Sequence, residues 1–320
     1  MTPEFVVFTD GGGLGKTILS TAVVASISAH YPKSKIIVLT GHPDVYDGNP
    51  KVYRVFDPNA VQYFYSDYIK DKDFVFLQSE PYTHWKYLRQ EMHLIEAWCD
   101  QIGVPCVTKK PEIFVKQSDK RSIEQYMKIQ GINKDALVLM QWCGGIVPKE
   151  DNAVLGTQLN EAMHKRSIPK HIAQEIADAL KHQGRQVVSL QHQHQEPLDG
   201  VATIFDRFGL IAALIDSCKT FVGIDSFMQH AAAALGKSGT VLWGATNSDV
   251  LGYDMHSNMT RGAVCAEPKC HRPNSFLLDK TGSGQSWSCP YSEPCLDFVA
   301  KDVVADVLQT PKPINAPDAP

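Results

Sequence analysis

The sequence predicts an α/β protein of two domains, each built around a parallel sheet. Three observations carry that reading. The chain has 320 residues, enough for two domains of about 150 residues each. Residues 5–40 run strand, glycine turn, helix, strand, and the right-handed crossover of such a unit sets its strands parallel. A second series with the same alternation begins near Ala136. The expected boundaries are residues 1–130 and 131–310, with 311–320 a disordered tail of four prolines and no apolar periodicity.

Phe5-Val6-Val7-Phe8 is a β-type apolar run and reads as a buried strand. Thr9 to Gly15 is a glycine-rich turn. A helix is expected over 16–30, with Ile18, Leu19, Ala22, Val23 and Ile27 on one apolar face, ended by Tyr31-Pro32. Strands follow over 35–40, 52–56 and 74–77, then one long helix over 85–102 closed by Gly103. The basic and polar stretch from Lys109 to Lys120 reads as the path out of the first domain. In the second series, strands are expected over 136–140, 186–190, 220–224 and 239–244, and helices over 169–183, 210–217, 227–235 and 302–309. Gly184 is a natural helix stop, and Ser226 is placed to cap the helix that follows it.

Composition narrows the function classes. Apolar residues make up 43% and charged residues 21%, which excludes general disorder. Lys plus Arg is 31 against 35 Asp plus Glu, so 31 − 35 gives a net charge of −4. No whole-protein basic field invites nucleic acid. No apolar run nears the roughly 20 residues of a membrane span, and the N-terminus lacks a basic start and apolar stretch. The expectation is a cytoplasmic protein, in which eight cysteines read as buried thiols or metal ligands.

Five segments, in order, resemble glycosyltransferase family 9, the heptosyltransferase-like enzymes. Gly13-Leu14-Gly15-Lys16-Thr17 leading to His30-Tyr31-Pro32 is similar to the family's Gly-x-x-Gly-Asp turn, helix and Tyr/Phe-Pro. His164-Lys165-Arg166-Ser167-Ile168-Pro169 resembles its basic-x-Trp-Pro. The strongest is Val222-Gly223-Ile224-Asp225-Ser226 through His230 to Ala231-Ala232-Ala233-Ala234-Leu235-Gly236. Val241-Leu242-Trp243-Gly244-Ala245-Thr246 resembles its Leu-Phe-Gly-Pro-Thr, and four cysteines between 265 and 295 resemble its Cys-rich segment. The middle of the first domain is not covered. The resemblance implies the GT-B fold, two Rossmann-like domains facing a cleft. The first would bind the acceptor and the second a nucleotide-diphosphate sugar. It implies inverting, metal-independent transfer of the sugar to an acceptor hydroxyl. The acceptor is left open between a glycan, a protein and a modified nucleic-acid base.

Such a transfer needs a base for the acceptor proton and positive charge or N–H dipoles for the departing diphosphate. A helix starting at Ser226 offers unpartnered N–H groups to that diphosphate. The donor-side candidates are therefore Ser226, Phe227, Asp225, His230, Gly244 and Thr246, with Arg166 and Lys165 supplying charge. The family's catalytic Asp falls on Lys16, whose ordinary pKa of about 10.4 keeps it protonated. Asp10, at the end of the first strand, and Glu80, after the strand over 74–77, are the substitute bases. Gly12, Gly13 and Gly15 form the turn between them and the helix. Tyr63, Phe64, Tyr65, Tyr68, Tyr82, Trp85 and Tyr87 either stack on an acceptor or serve as packing.

Cys265, Cys270, Cys289 and Cys295 are candidates for a structural Zn or Fe site, set against free thiols or a disulfide; no cofactor is expected for catalysis. Two other function classes remain. Asp10-Gly11-Gly12-Gly13-Leu14-Gly15-Lys16-Thr17 approaches a phosphate loop, so a deviant nucleoside triphosphatase is one. Against it, the required first Gly is Asp10, whose carboxylate would repel phosphate. A catalytically silent sugar- or nucleotide-binding protein of the same fold is the other.

Overall fold

The computed structural model describes residues 2–144, 166–192, 195–261, 265, 269–270 and 294–309. The expected tail over 311–320, Lys165 and Cys289 lie outside the described residues. The chain divides into two compact units. Residues 1–121 with 207–213 form one, and 122–206 with the chain from Leu214 onward form the other.

The first unit carries β1 (Phe5–Thr9), α1 (Leu14–His30), β2 (Lys35–Leu39), β3 (Arg54–Phe56) and β4 (Phe74–Gln78). It continues with α2 (Trp85–Leu88), α3 (Leu94–Gln101) and the start of α4 (Gln117–Ile129). Its sheet is parallel, in the order β3-β2-β1-β4. β1 is central, and its unbroken apolar run fits a strand covered on both faces.

α1 is buried almost all round from Lys16 to Ile27, not along one stripe. Its polar residues tolerate this because their hydroxyls bond backward to the helix. Ser20 Oγ donates to Thr17 O at 2.7 Å, Thr21 Oγ1 to Ile18 O at 2.7 Å, and Ser26 Oγ to Ala22 O at 3.1 Å. Thr21 and Ser26 also accept the Glu112 and Val107 N–H groups at 2.8 and 3.1 Å, so the later chain straps across α1.

The single helix expected over 85–102 is two helices. Gln90 takes φ +60° between them, and His93 starts α3 as a capping box, its ring accepting from Ile95 N–H while Glu96 accepts from His93 N–H. The expected exit path near 116–120 is already the first turn of α4.

The second unit carries β5 (Leu137–Met140), α5 (Lys170–His182), β6 (Gln186–Leu190), β7 (Ala202–Ile204) and α6 (Phe208–Ser217), whose first residues group with the other unit. Then come β8 (Thr220–Ile224), α7 (Phe227–Ala234), β9 (Thr240–Trp243), α8 (Ser248–Leu251), β10 (Ser257–Thr260) and α9 (Ala300–Gln309). Its sheet is parallel, in the order β10-β9-β8-β5-β6-β7. Ile172, Ile176 and Leu180 of α5 and Val303, Val304 and Val307 of α9 bury one face of it. The two edge strands, β7 (three residues) and β10 (Ser-Asn-Met-Thr), are short, as exposed edges tend to be, and carry too little apolar pattern to be read from sequence.

Candidate functional site

In each unit the candidate residues follow the carboxyl ends of neighbouring parallel strands, the usual ligand position in open α/β sheets. In the first unit, β1 and β4 are in register from Phe5↔Phe74 to Thr9↔Gln78. The turns that follow them therefore start side by side. Gly11 takes φ +37°, and Gly13 starts α1 without a side-chain cap. Lys16, only 7% exposed, ion-pairs with Glu80 Oε2 at 2.8 Å and donates to Gly11 O at 2.9 Å. Its ammonium stands 5.1 Å above the Trp98 ring. A Cβ on Gly12 would come within 2.6 Å of Lys16 Cδ, so the lysine stem requires glycine there. Gly15 lies in the first turn of α1.

Glu80 is 45% exposed, and its second oxygen accepts the Tyr82 N–H at 3.3 Å. Asp10 is 1% exposed. Its Oδ2 accepts from Ser20 Oγ at 3.2 Å, and Ser20 is in turn bonded to the buried Tyr46 hydroxyl at 2.6 Å. Among the described residues Asp10 Oδ1 has no hydrogen-bond partner. Burial raises the Asp10 pKa, opposed by the nearby Thr17, Thr40 and Ser20 hydroxyls and the Lys16 charge. The structure thus brings Asp10, Lys16 and Glu80 to one strand-end turn, with Glu80 outermost. Lys16 is turned onto protein oxygens rather than held over an open phosphate cradle.

In the second unit, β8 lies between β5 and β9, and the chain leaving each carries candidates. Asp225 follows β8, is buried, and has its pKa raised by desolvation, opposed by Arg166 and Thr246. Arg166 Nη1 reaches Asp225 O at 3.4 Å and Asp225 Oδ2 at 3.8 Å. Ser226 holds the cap position of α7, but its side chain does not cap the helix as expected. Gln141, directly after β5, does that work. Its Oε1 accepts from Met228 N–H at 3.3 Å, and its Nε2 donates to Ser226 Oγ at 3.0 Å. His230 is buried in α7 and bonds the Tyr253 hydroxyl through Nδ1 at 2.9 Å. Thr246 is buried after β9, with Gly244 and Ala245 leading to it, and its side chain bears on the Asp225 carboxyl. Gln141 and Tyr253 escaped the sequence reading. For Gln141 the available signal was position, a polar residue straight after a buried apolar strand, as at Asp10 and Asp225; Tyr253 follows a short helix and carried no such signal.

Of the aromatic group, Phe64 and Tyr68 pack on Phe56 and Phe5, and Tyr87 is fully buried. Tyr63, Tyr65 and Trp85 are exposed. Cys265, Cys270 and Cys295 are described, but among the described residues no three His, Cys, Asp or Glu side chains group as metal ligands. Cys289, the fourth candidate ligand, lies outside the described residues. Among the described residues no helix is long and apolar enough to cross a membrane.

No sequence-family model and no curated protein sequence matches the chain. Solved structures do. A glycosyltransferase family 9 protein from Veillonella parvula matches with TM-score 0.59 and 17% identity, over 80% of this chain and 85% of that one. The E. coli ADP-heptose LPS heptosyltransferase II matches with TM-score 0.56 and 13% identity, over 80% and 90%. TibC, an iron-containing dodecameric glycosyltransferase from enterotoxigenic E. coli, matches with TM-score 0.63 and 11% identity, over 96% and 75%. In its complex with ADP-D-β-D-heptose the TM-score is 0.60 at 11% identity, over 96% and 74%. The fold is the α/β GT-B fold of these glycosyltransferases, and the family 9 resemblance read from the sequence is borne out at the level of fold.

Proposed function

We propose that the chain is an inverting glycosyltransferase that moves a sugar from a nucleotide-diphosphate sugar to an acceptor hydroxyl, with no metal in the transfer step. The observation that carries this is the β8–α7 junction, where Arg166, a helix N-terminus and the Thr246 hydroxyl converge within a fold shared with sugar-nucleotide transferases. The acceptor oxygen attacks the anomeric carbon as the bond to the diphosphate breaks. The first N–H groups of α7 and the Arg166 guanidinium stabilise the leaving charge, the work a metal does elsewhere. Gln141 fixes the start of α7 and holds Ser226. Asp225 orients Arg166, and Tyr253 holds His230. Lys165, outside the described residues, is proposed as an added charge.

We assign the base to Glu80. Asp10 is enclosed, whereas the Glu80 carboxylate is half exposed and held by Lys16. The lysine in place of the family's carboxylate thus becomes the support of a carboxylate from the neighbouring strand end. The exposed Trp85 offers a face for an acceptor ring.

Thermal-shift measurement against ADP, UDP, GDP and CMP, with ATP plus magnesium alongside, tests the reading. Stabilisation by a nucleoside diphosphate without magnesium is expected. A shift with ATP and magnesium only would overturn it in favour of a triphosphatase. Release of the nucleotide from its sugar then separates enzyme from silent binder. Glu80→Gln should slow that release about 10²- to 10⁴-fold, and the same loss in Asp10→Asn alone would move the base to Asp10.

A further inference from the structure

α7 and the chain after α8 share a line of hydrogen bonds whose donors follow from the partners alone. Gln229 Nε2 donates to Leu251 O at 3.2 Å. A carbonyl oxygen only accepts, so this bond fixes which end of the Gln229 amide faces it. The same nitrogen lies 3.4 Å from His230 Nε2. Its second hydrogen is met by a ring nitrogen that accepts, and the ring proton therefore belongs on Nδ1. His230 Nδ1 is 2.9 Å from the Tyr253 hydroxyl. The imidazole is thus the donor of that bond and Tyr253 Oη its acceptor. In the opposite tautomer an Nε2–H would face an amide N–H, and the Tyr253 proton would be spent on His230 Nδ1.

The Tyr253 ring is held from two sides. His230 stands edge-on to it at 5.7 Å and 84°, and His256 at 5.8 Å and 88°. His256 is anchored to α7 by its Nε2, which donates to Gln229 O at 3.0 Å, and burial lowers its pKa to about 4, so it adds no charge at neutral pH. Tyr253 itself is partly exposed. His230 is the fourth residue of α7, in the turn whose N–H groups receive the diphosphate in the function proposed above.

We propose that Tyr253 is a further nucleotide-sugar-binding residue, its hydroxyl donating to an oxygen of the diphosphate, and that His230 is the positioning residue that sets the direction of that proton. The inference rests on the donor site placed at the β8–α7 junction. A diphosphate oxygen in its ionised form only accepts, so a hydroxyl beside it is useful only as a donor. By giving its Nδ1–H to Tyr253 Oη, His230 occupies a lone pair and turns the hydroxyl proton away from the imidazole. His230 then serves the donor site through Tyr253 and not through a charge of its own.

Two measurements test it. In the full chain with 15N-labelled histidine, long-range proton–nitrogen correlation, assigned by the signals lost in His230→Asn, should show His230 protonated at Nδ1 and bare at Nε2. The reverse tautomer would overturn the proposal. Calorimetry with ADP, UDP, GDP, CDP and dTDP supplies the second. For the diphosphate that binds the wild-type chain, Tyr253→Phe should weaken binding about 10-fold, the worth of one hydrogen bond to a charged group. His230→Ala should weaken it by a comparable factor. His230→Asn, whose amide can donate from the place of Nδ1, should restore most of the loss. Adding His230→Ala to Tyr253→Phe should cost nothing more, as expected of a residue that acts through another. Equal affinity of wild type and Tyr253→Phe, or a further loss in the double variant, would overturn the proposal and leave the donor site standing. A wild-type chain that binds none of these diphosphates would remove both.

Discussion

The Lys16–Glu80 pair should be worth about 1–2 kcal/mol of coupling to the stability of the first unit. At 2.8 Å two unit charges attract by about 1.5 kcal/mol in water and about 6 kcal/mol at an effective dielectric of 20. Lys16 is nearly enclosed, but Glu80 is 45% exposed, so solvent screening holds the net value near the lower figure. The two single variants should differ in kind. Lys16→Met keeps the stem that packs on Gly12 and leaves a carboxylate that water reaches. Glu80→Gln leaves an enclosed ammonium with Gly11 O and the Trp98 face. Each should cost about 1–2 kcal/mol, with Glu80→Gln the larger, and the double variant should cost about 1–2 kcal/mol less than the sum. The assay is urea unfolding of the four proteins. Coupling below about 0.3 kcal/mol, the error of additivity, would refute the view that Lys16 holds Glu80 in place.

Three further outcomes follow from the geometry. A Cβ on Gly239 would stand 2.3 Å from the buried Phe221 ring, so Gly239→Ala should lower stability by about 1–3 kcal/mol, and an unchanged urea midpoint would refute that packing. Arg166→Ala should weaken nucleoside-diphosphate binding about 10-fold or more, the worth of one charge-assisted hydrogen bond, and unaltered calorimetric affinity would remove Arg166 from the donor site. Asp10 and Asp225 both have pKa values raised by burial; their folded forms hold protons more tightly than the unfolded chain, so their contribution to stability falls as pH rises from about 3.9 through the folded values. Asp225→Asn should remove part of that fall in a stability–pH series, and an identical series would refute it.

The central strands that sequence revealed are those whose burial is written in an unbroken apolar run. β1, β2, β5, β8 and β9 are central or fully covered, and each was legible. The edge strands β3 and β4 were legible as well, from the apolar residues of 52–56 and 74–77, whereas β7 has only three residues and Ser257-Asn258-Met259-Thr260 has no pattern of its own. The break between α2 and α3 was missed because its signal is polar. His93 and Glu96 make a capping box in which histidine replaces the usual Ser or Thr. Asp225, Ser226 and His230 were legible as a segment, but their partners Gln141 and Tyr253 come from residues far along the chain and only the sheet order brings them together.

The same sheet order accounts for Lys16. Read along the sequence, a lysine after the glycine turn suggests a phosphate loop. The register of β1 with β4 changes its meaning, because it sets Glu80 beside the turn. The ammonium is then consumed by Glu80 and Gly11 O, and Gly12 is required by the lysine stem rather than by a phosphate. A phosphate-binding lysine must be free to follow its ligand, while Lys16 is fixed from three sides by a carboxylate, a carbonyl and an aromatic face. Its positive charge is matched by the Glu80 carboxylate, and Asp10 beside it disfavours a further anion. A polyphosphate would have to break the pair and approach a buried carboxyl.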